Sequence, residues 1–116
     1  MNDLEMTRLA AESIGIDLLC LEGFLEVASD HSYFINEKER YGFYNTYSPL
    51  TDAAQAFELM EKLRMDIEHS VCGTCRALKP DVHGGCLAQS VWSDDLKRAL
   101  VECAANYALW KRKEGN

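Results

Sequence analysis

The feature that most constrains the fold is the run of residues 93–113. Leu96, Ala99, Leu100, Cys103, Tyr107 and Trp110 recur three and four positions apart, so a helix over residues 94–111 carries one apolar stripe along its length. Ser93 stands where an N-cap belongs, Asp94 and Asp95 oppose the positive end of the helix dipole, and Lys111, Arg112 and Lys113 lie by its negative end. A stripe of that length needs cover, and the rest of the chain has to supply a second layer.

Two further helices are expected. Leu4, Met6, Leu9, Ala10 and Ile14 approximate helical spacing over residues 3–14, with Asn2 and Glu5 arranged as a capping box and Gly15 at the C-terminal end. The second helix spans residues 52–67, with Ala53, Ala56, Phe57, Met60, Leu63 and Ile67 on its apolar side and Glu58, Glu61, Lys62 and Arg64 toward water. Ser48-Pro49-Leu50-Thr51-Asp52 announces it, because proline keeps the preceding chain out of the helix and Thr51 or Asp52 can accept from free backbone N–H groups.

Strands fill the intervals. Residues 17–21 and 24–28 are short apolar runs joined at Glu22-Gly23, the pattern of a hairpin. Residues 29–40 are polar apart from Tyr33, Phe34 and Ile35, and Asn36-Glu37-Lys38-Glu39-Arg40 is a charged interruption suited to an exposed loop, after which residues 41–44 add a short strand. A second hairpin pairs residues 71–78 with 86–92 around a turn at 79–85 that holds Pro80 and Gly84-Gly85. No repeat, linker or low-complexity tract divides the chain. The expectation is one α+β domain over residues 1–116, three helices packed on a small, mainly antiparallel sheet built from two hairpins.

Residues 47–64, Tyr47 followed by Ser48-Pro49-Leu50-Thr51-Asp52 and then Ala53-Ala54-Gln55-Ala56-Phe57-Glu58-Leu59-Met60-Glu61-Lys62-Leu63-Arg64, resemble the core of the phage ABA sandwich domain family. Leu9-Ala10-Ala11-Glu12 is similar to that family's opening helix, and residues 93–103 to its closing one. The resemblance implies a layered helix-and-sheet fold and a phage or prophage origin; it brings no catalytic residue with it.

Composition narrows the functional classes. The chain is 47% hydrophobic and 27% charged, enough to fold, yet its longest apolar runs fall far short of the roughly 20 residues that a membrane helix needs. The start, Met1-Asn2-Asp3-Leu4-Glu5, has neither the basic residues nor the apolar stretch of a secretory signal, so a location in the cytoplasm of the host cell is expected. A net charge of −7 repels phosphate backbones and anionic lipid, which argues against direct nucleic-acid or membrane partners; the acidity serves solubility, or else forms an anionic surface that would seek a basic protein partner.

Five cysteines, an odd number, point to thiols or metal ligands and away from a disulfide framework. Cys72-Gly73-Thr74-Cys75 and His83-Gly84-Gly85-Cys86 offer two pairs of soft ligands that could close a tetrahedral zinc site if the chain turns locally at the first pair. The other reading makes them small apolar side chains of a hairpin, with no cofactor. A redox role for Cys72 and Cys75 would need a helix to start there, and Arg76-Ala77-Leu78-Lys79-Pro80 is a poor helix start.

His31, His69 and His83 are scattered, and no nucleophile, base or phosphate loop has its motif, so an enzyme is not expected. Six of the eleven aromatic residues, Tyr33, Phe34, Tyr41, Phe43, Tyr44 and Tyr47, crowd into fifteen positions. Either they form a docking surface beside the charged loop or they fill the core beneath it. The function expected is therefore that of a small phage or prophage accessory protein that binds a host or phage protein, a component of a host defence system among the candidates.

Overall fold

The computed structural model describes residues 1–39 and 41–115; Arg40, the end of the expected charged loop, lies outside them. The first helix, α1 (Asp3–Ser13), starts where the Asn2 side chain accepts from the Glu5 N–H at 2.8 Å. It ends as Gly15 enters the left-handed region at φ 75°, which lets Ile16 N–H return to the Ala11 carbonyl. Met6, Leu9 and Ala10 are buried on its inner face.

Two strands, β1 (Cys20–Leu21) and β2 (Phe24–Leu25), form the first hairpin across Glu22 and Gly23, both at positive φ as a type I′ turn requires. The expected strand over 24–28 breaks at Glu26, and β3 (Val27–Ser29) joins a second sheet with β4 (Ser32–Lys38) and β5 (Tyr44–Tyr47) in the order β3-β4-β5, all antiparallel. Much of the expected polar loop is thus the seven-residue strand β4, and the expected strand over 41–44 is displaced to β5. The outer half of β4 is exposed, so its side chains are polar although its backbone pairs.

Helix α2 (Ala53–Leu63) is capped by Asp52, whose carboxylate accepts from the Gln55 N–H at 3.1 Å. Gln55 staples the helix to β5, accepting from Ser48 N–H at 2.6 Å and donating to the Thr46 carbonyl at 2.9 Å. The helix stops four residues earlier than expected. Arg64 takes a left-handed conformation (φ 52°), and the bonds from Arg64 N–H to the Glu61 carbonyl and from Met65 N–H to the Met60 carbonyl close a Schellman arrangement. Ile67 consequently belongs to β6 (Asp66–His69), not to the helix. Ala56, Leu59 and Leu63 form the buried face, while Phe57, expected inside, is 44% exposed.

The third sheet has the order β6-β7-β8, antiparallel, with β7 (Cys75–Pro80) at its centre and β8 (Cys86–Gln89) beyond the expected turn. Helix α3 (Leu96–Glu114) follows; its cap is Asp95, which accepts from the Lys97 N–H at 3.0 Å, and not Ser93, which instead pairs with Cys75 through two backbone bonds of 2.8 Å.

The class is the expected α+β, but the strands make three small antiparallel sheets instead of one. Helix α3 is the hub. It packs against α1 and α2 and against β7 and β8. Ala99, Ala104, Ala105 and Ala108 are all at most 2% exposed, and they meet Cys75, Ala77 and Ala88 of the sheet in one core. Small side chains on both partners let backbones approach closely, which explains how one helix is covered on several sides. A smaller core gathers Ala11, Leu18, Tyr33 and Tyr47 between α1 and the β3-β4-β5 sheet. Among the described residues, no helix is long and apolar enough to cross a membrane.

Candidate functional site: an aromatic face on the first hairpin

The six clustered aromatics divide between core and surface. Tyr33 and Tyr47 lie directly opposite each other on β4 and β5 and are buried in the smaller core. Burial pushes both phenols above their ordinary pKa, that of Tyr47 strongly and with the Glu58 carboxylate adding to the effect; both stay neutral hydroxyls. Phe34 and Tyr44 are half-buried, with the Lys38 ammonium 5.5 Å from the centre of the Tyr44 ring.

Tyr41 and Phe43 are 78% and 72% exposed. They flank Gly42, which at φ 86° closes the tight connection from β4 to β5, held by bonds from Glu39 N–H to the Phe43 carbonyl (2.7 Å) and from Gly42 N–H to the Glu39 carbonyl (2.9 Å). The turn therefore presents two rings to water.

The first hairpin stands beside them. Leu19 N–H donates to the Phe34 carbonyl at 2.8 Å, and Phe34 N–H to the Glu26 carbonyl at 3.1 Å, which ties the hairpin stem to β4. Between the two elements runs a groove of about 350 Å³ lined by Leu19, Leu21, Glu26, Phe34, Gly42, Phe43 and Tyr44. Leu21 and Phe24, paired across the hairpin, are 51% and 75% exposed. Sequence reasoning missed this contribution. Its signal was readable: large apolar residues immediately either side of a two-residue turn, in a ribbon too short to fold over them.

The cysteine and histidine cluster disperses. Cys72 is exposed in the turn between β6 and β7, where its N–H donates to Ser70 Oγ at 3.2 Å. Cys75 is buried at the start of β7, and Cys86 sits opposite Pro80 at the end of the same strand. Five residue-to-residue steps along the strand separate those positions, roughly 16 Å. His83 lies in the turn beyond, so the four side chains do not meet around one ion. Among the described residues, no three His, Cys, Asp or Glu side chains come together as a metal would require. A pair that spacing did not suggest is Cys86 with Cys103: both thiols donate to the Ala88 carbonyl, at 3.0 and 3.7 Å. Burial, with Cys86 nearby, pushes the Cys103 thiol up to about 12, so it stays protonated and inert.

Comparison with known proteins finds no matching family model, no matching curated protein and no matching solved structure.

Proposed function

We propose that the protein acts by binding another protein, as a small accessory protein of phage or prophage type, and that the first hairpin and the β4–β5 turn form its docking face. The observation that carries this reading is the exposure of Leu21 and Phe43, which line one groove, with Phe24 exposed on the same hairpin and Tyr41 on the same turn. Aromatic side chains have few rotatable bonds, so they lose little conformational freedom on association and supply the buried anchors that dominate most interfaces. Glu26 in the groove and the net charge of −7 favour a basic partner. The partner is a host or phage protein on this reading.

The test is quantitative capture from host lysate by the wild type and by a Tyr41→Ser/Phe43→Ser variant. One partner should be retained stoichiometrically by the wild type, with association slowed by added salt, and should be lost from the variant while circular dichroism reports a native fold. Equal capture by a folded variant would place the binding face elsewhere.

A further inference from the structure

The groove between the first hairpin and the β4–β5 turn has one side fixed by backbone bonds. Leu19 N–H donates to the Phe34 carbonyl at 2.8 Å, Phe34 N–H to the Glu26 carbonyl at 3.1 Å and Glu26 N–H to the Leu19 carbonyl at 2.9 Å, a closed ring of bonds that joins three lining residues. The other side is the turn that carries Gly42 and Phe43, with Tyr44 following on β5. Apart from Glu26 and Gly42, every described lining residue is aliphatic or aromatic.

Glu26 is the single charged residue among them. It is half-buried, and among the described residues no side chain pairs with its carboxylate. Lys38 is drawn onto the Tyr44 ring, 5.5 Å from its centre, and does not line the groove. Glu22 on the hairpin turn and Glu39 at the β4–β5 turn are exposed and add negative charge beside it. A purely apolar side chain seated here would strip water from the Glu26 carboxylate and give it no partner, which offsets the gain from apolar contact.

Resting on the reading of this face as the docking face, we infer that its groove receives an arginine side chain of the partner protein. The methylenes lie against Leu19 and Leu21, the guanidinium plane stacks on the exposed Phe43 ring, and its N–H groups donate to the Glu26 carboxylate. Arginine suits the groove better than lysine. Its planar, weakly hydrated cation can stack on a ring and pair with a carboxylate at once, whereas an ammonium gives up more hydration to do either. The volume of about 350 Å³ is at the small end of binding sites and matches one long side chain, not a whole helix. A second copy of this chain fits less well, because a two-fold interface through this face would set Glu22, Glu26 and Glu39 against their own counterparts.

Amide chemical-shift titrations of the full chain with three pentapeptides test this, each with a central arginine, lysine or norleucine between alanines. The arginine peptide should give saturable shifts at Leu19, Leu21, Gly42 and Phe43 and bind about threefold or more tighter than the other two. Glu26→Gln should weaken the arginine peptide about fivefold or more and leave the norleucine peptide unchanged. Phe43→Leu, at an exposed position, should also weaken the arginine peptide in a chain that remains folded. Norleucine binding as tightly as arginine would assign the groove to an apolar anchor, and shifts that grow with protein concentration without peptide would assign it to a second copy. Either result, an absence of shifts with arginine, or unchanged arginine affinity in folded Glu26→Gln overturns the inference. Capture by Tyr41→Ser/Phe43→Ser judges the docking face separately: lost capture together with a norleucine preference rejects the arginine and keeps the face.

Discussion

Truncating Leu59 should cost more than truncating the larger Phe57. The two positions are two residues apart on α2 and point to nearly opposite sides of it. Leu59 is 0% exposed and belongs to the main core, whereas Phe57 is 44% exposed. Replacing Leu59 with Ala removes three carbons, roughly 2.4 kcal/mol at about 0.8 per methylene. The cavity left behind raises the loss to about 3–4 kcal/mol. Phe57→Ala forfeits only the covered half of its ring, about 1 kcal/mol. In urea, with a slope of about 1.5 kcal/mol per molar, the midpoints should fall by roughly 2 M and by less than 1 M. The usual order, in which a truncated Phe costs at least as much as a truncated Leu, is inverted here only because of the helix's orientation. Equal losses, or a larger loss at Phe57, would mean that α2 is rotated and that its packing against α3 has been misassigned.

Two further outcomes follow from local environments. Alkylation of the native protein at pH 8 should modify Cys20, Cys72 and Cys86 and spare Cys75 and Cys103, as mass mapping would show; modification of Cys103 as rapid as that of Cys72 would contradict its burial and raised pKa. Glu12 is held below its ordinary carboxylate pKa by the hydrogen bond from Arg112, so the pair contributes stability above that ordinary value and loses it as pH falls through the lower folded value. Glu12→Gln should therefore be slightly less stable than wild type at pH 7 and indistinguishable from it near pH 2 in denaturant titrations; an unchanged difference at low pH would refute the linkage. Exposure of both partners keeps the effect small.

How much of this was readable in the sequence depended on whether the information is local. The cap at Asn2, the glycine stop at Gly15, the Glu22-Gly23 turn, the Asp52 cap and the stripe of α3 are decided within a few residues, and all five stand where the residues place them. The second helix carries two overlapping stripes. The series through Phe57 and Ile67 prevails if the helix continues, and the series Ala56, Leu59, Leu63 prevails once Arg64 ends it. A non-glycine residue in the left-handed region leaves little trace in sequence. Strand β4 escaped notice because pairing with β5 is non-local and its outer half faces water. The cysteine pairs looked close because seven residues separate them, but strand β7 occupies most of that interval and carries the pairs apart. For the aromatic residues, the cluster was evident; which rings face outward was not, since that depends on the register Tyr33 to Tyr47.

The central position of α3 has a kinetic consequence. Its ties to α1, Asp3 to Arg98 and Glu12 to Arg112, span 95 and 100 positions, whereas its contacts with β7 and β8 close much shorter loops. Entropy favours closing the short loops first. The third sheet and α3 should thus assemble early, and α1 should dock late onto an already formed alanine-rich surface. Until it does, the side of α3 that receives Met6, Leu9 and Ala10 is open to water, and conditions that slow that last docking step expose the chain to aggregation through this side.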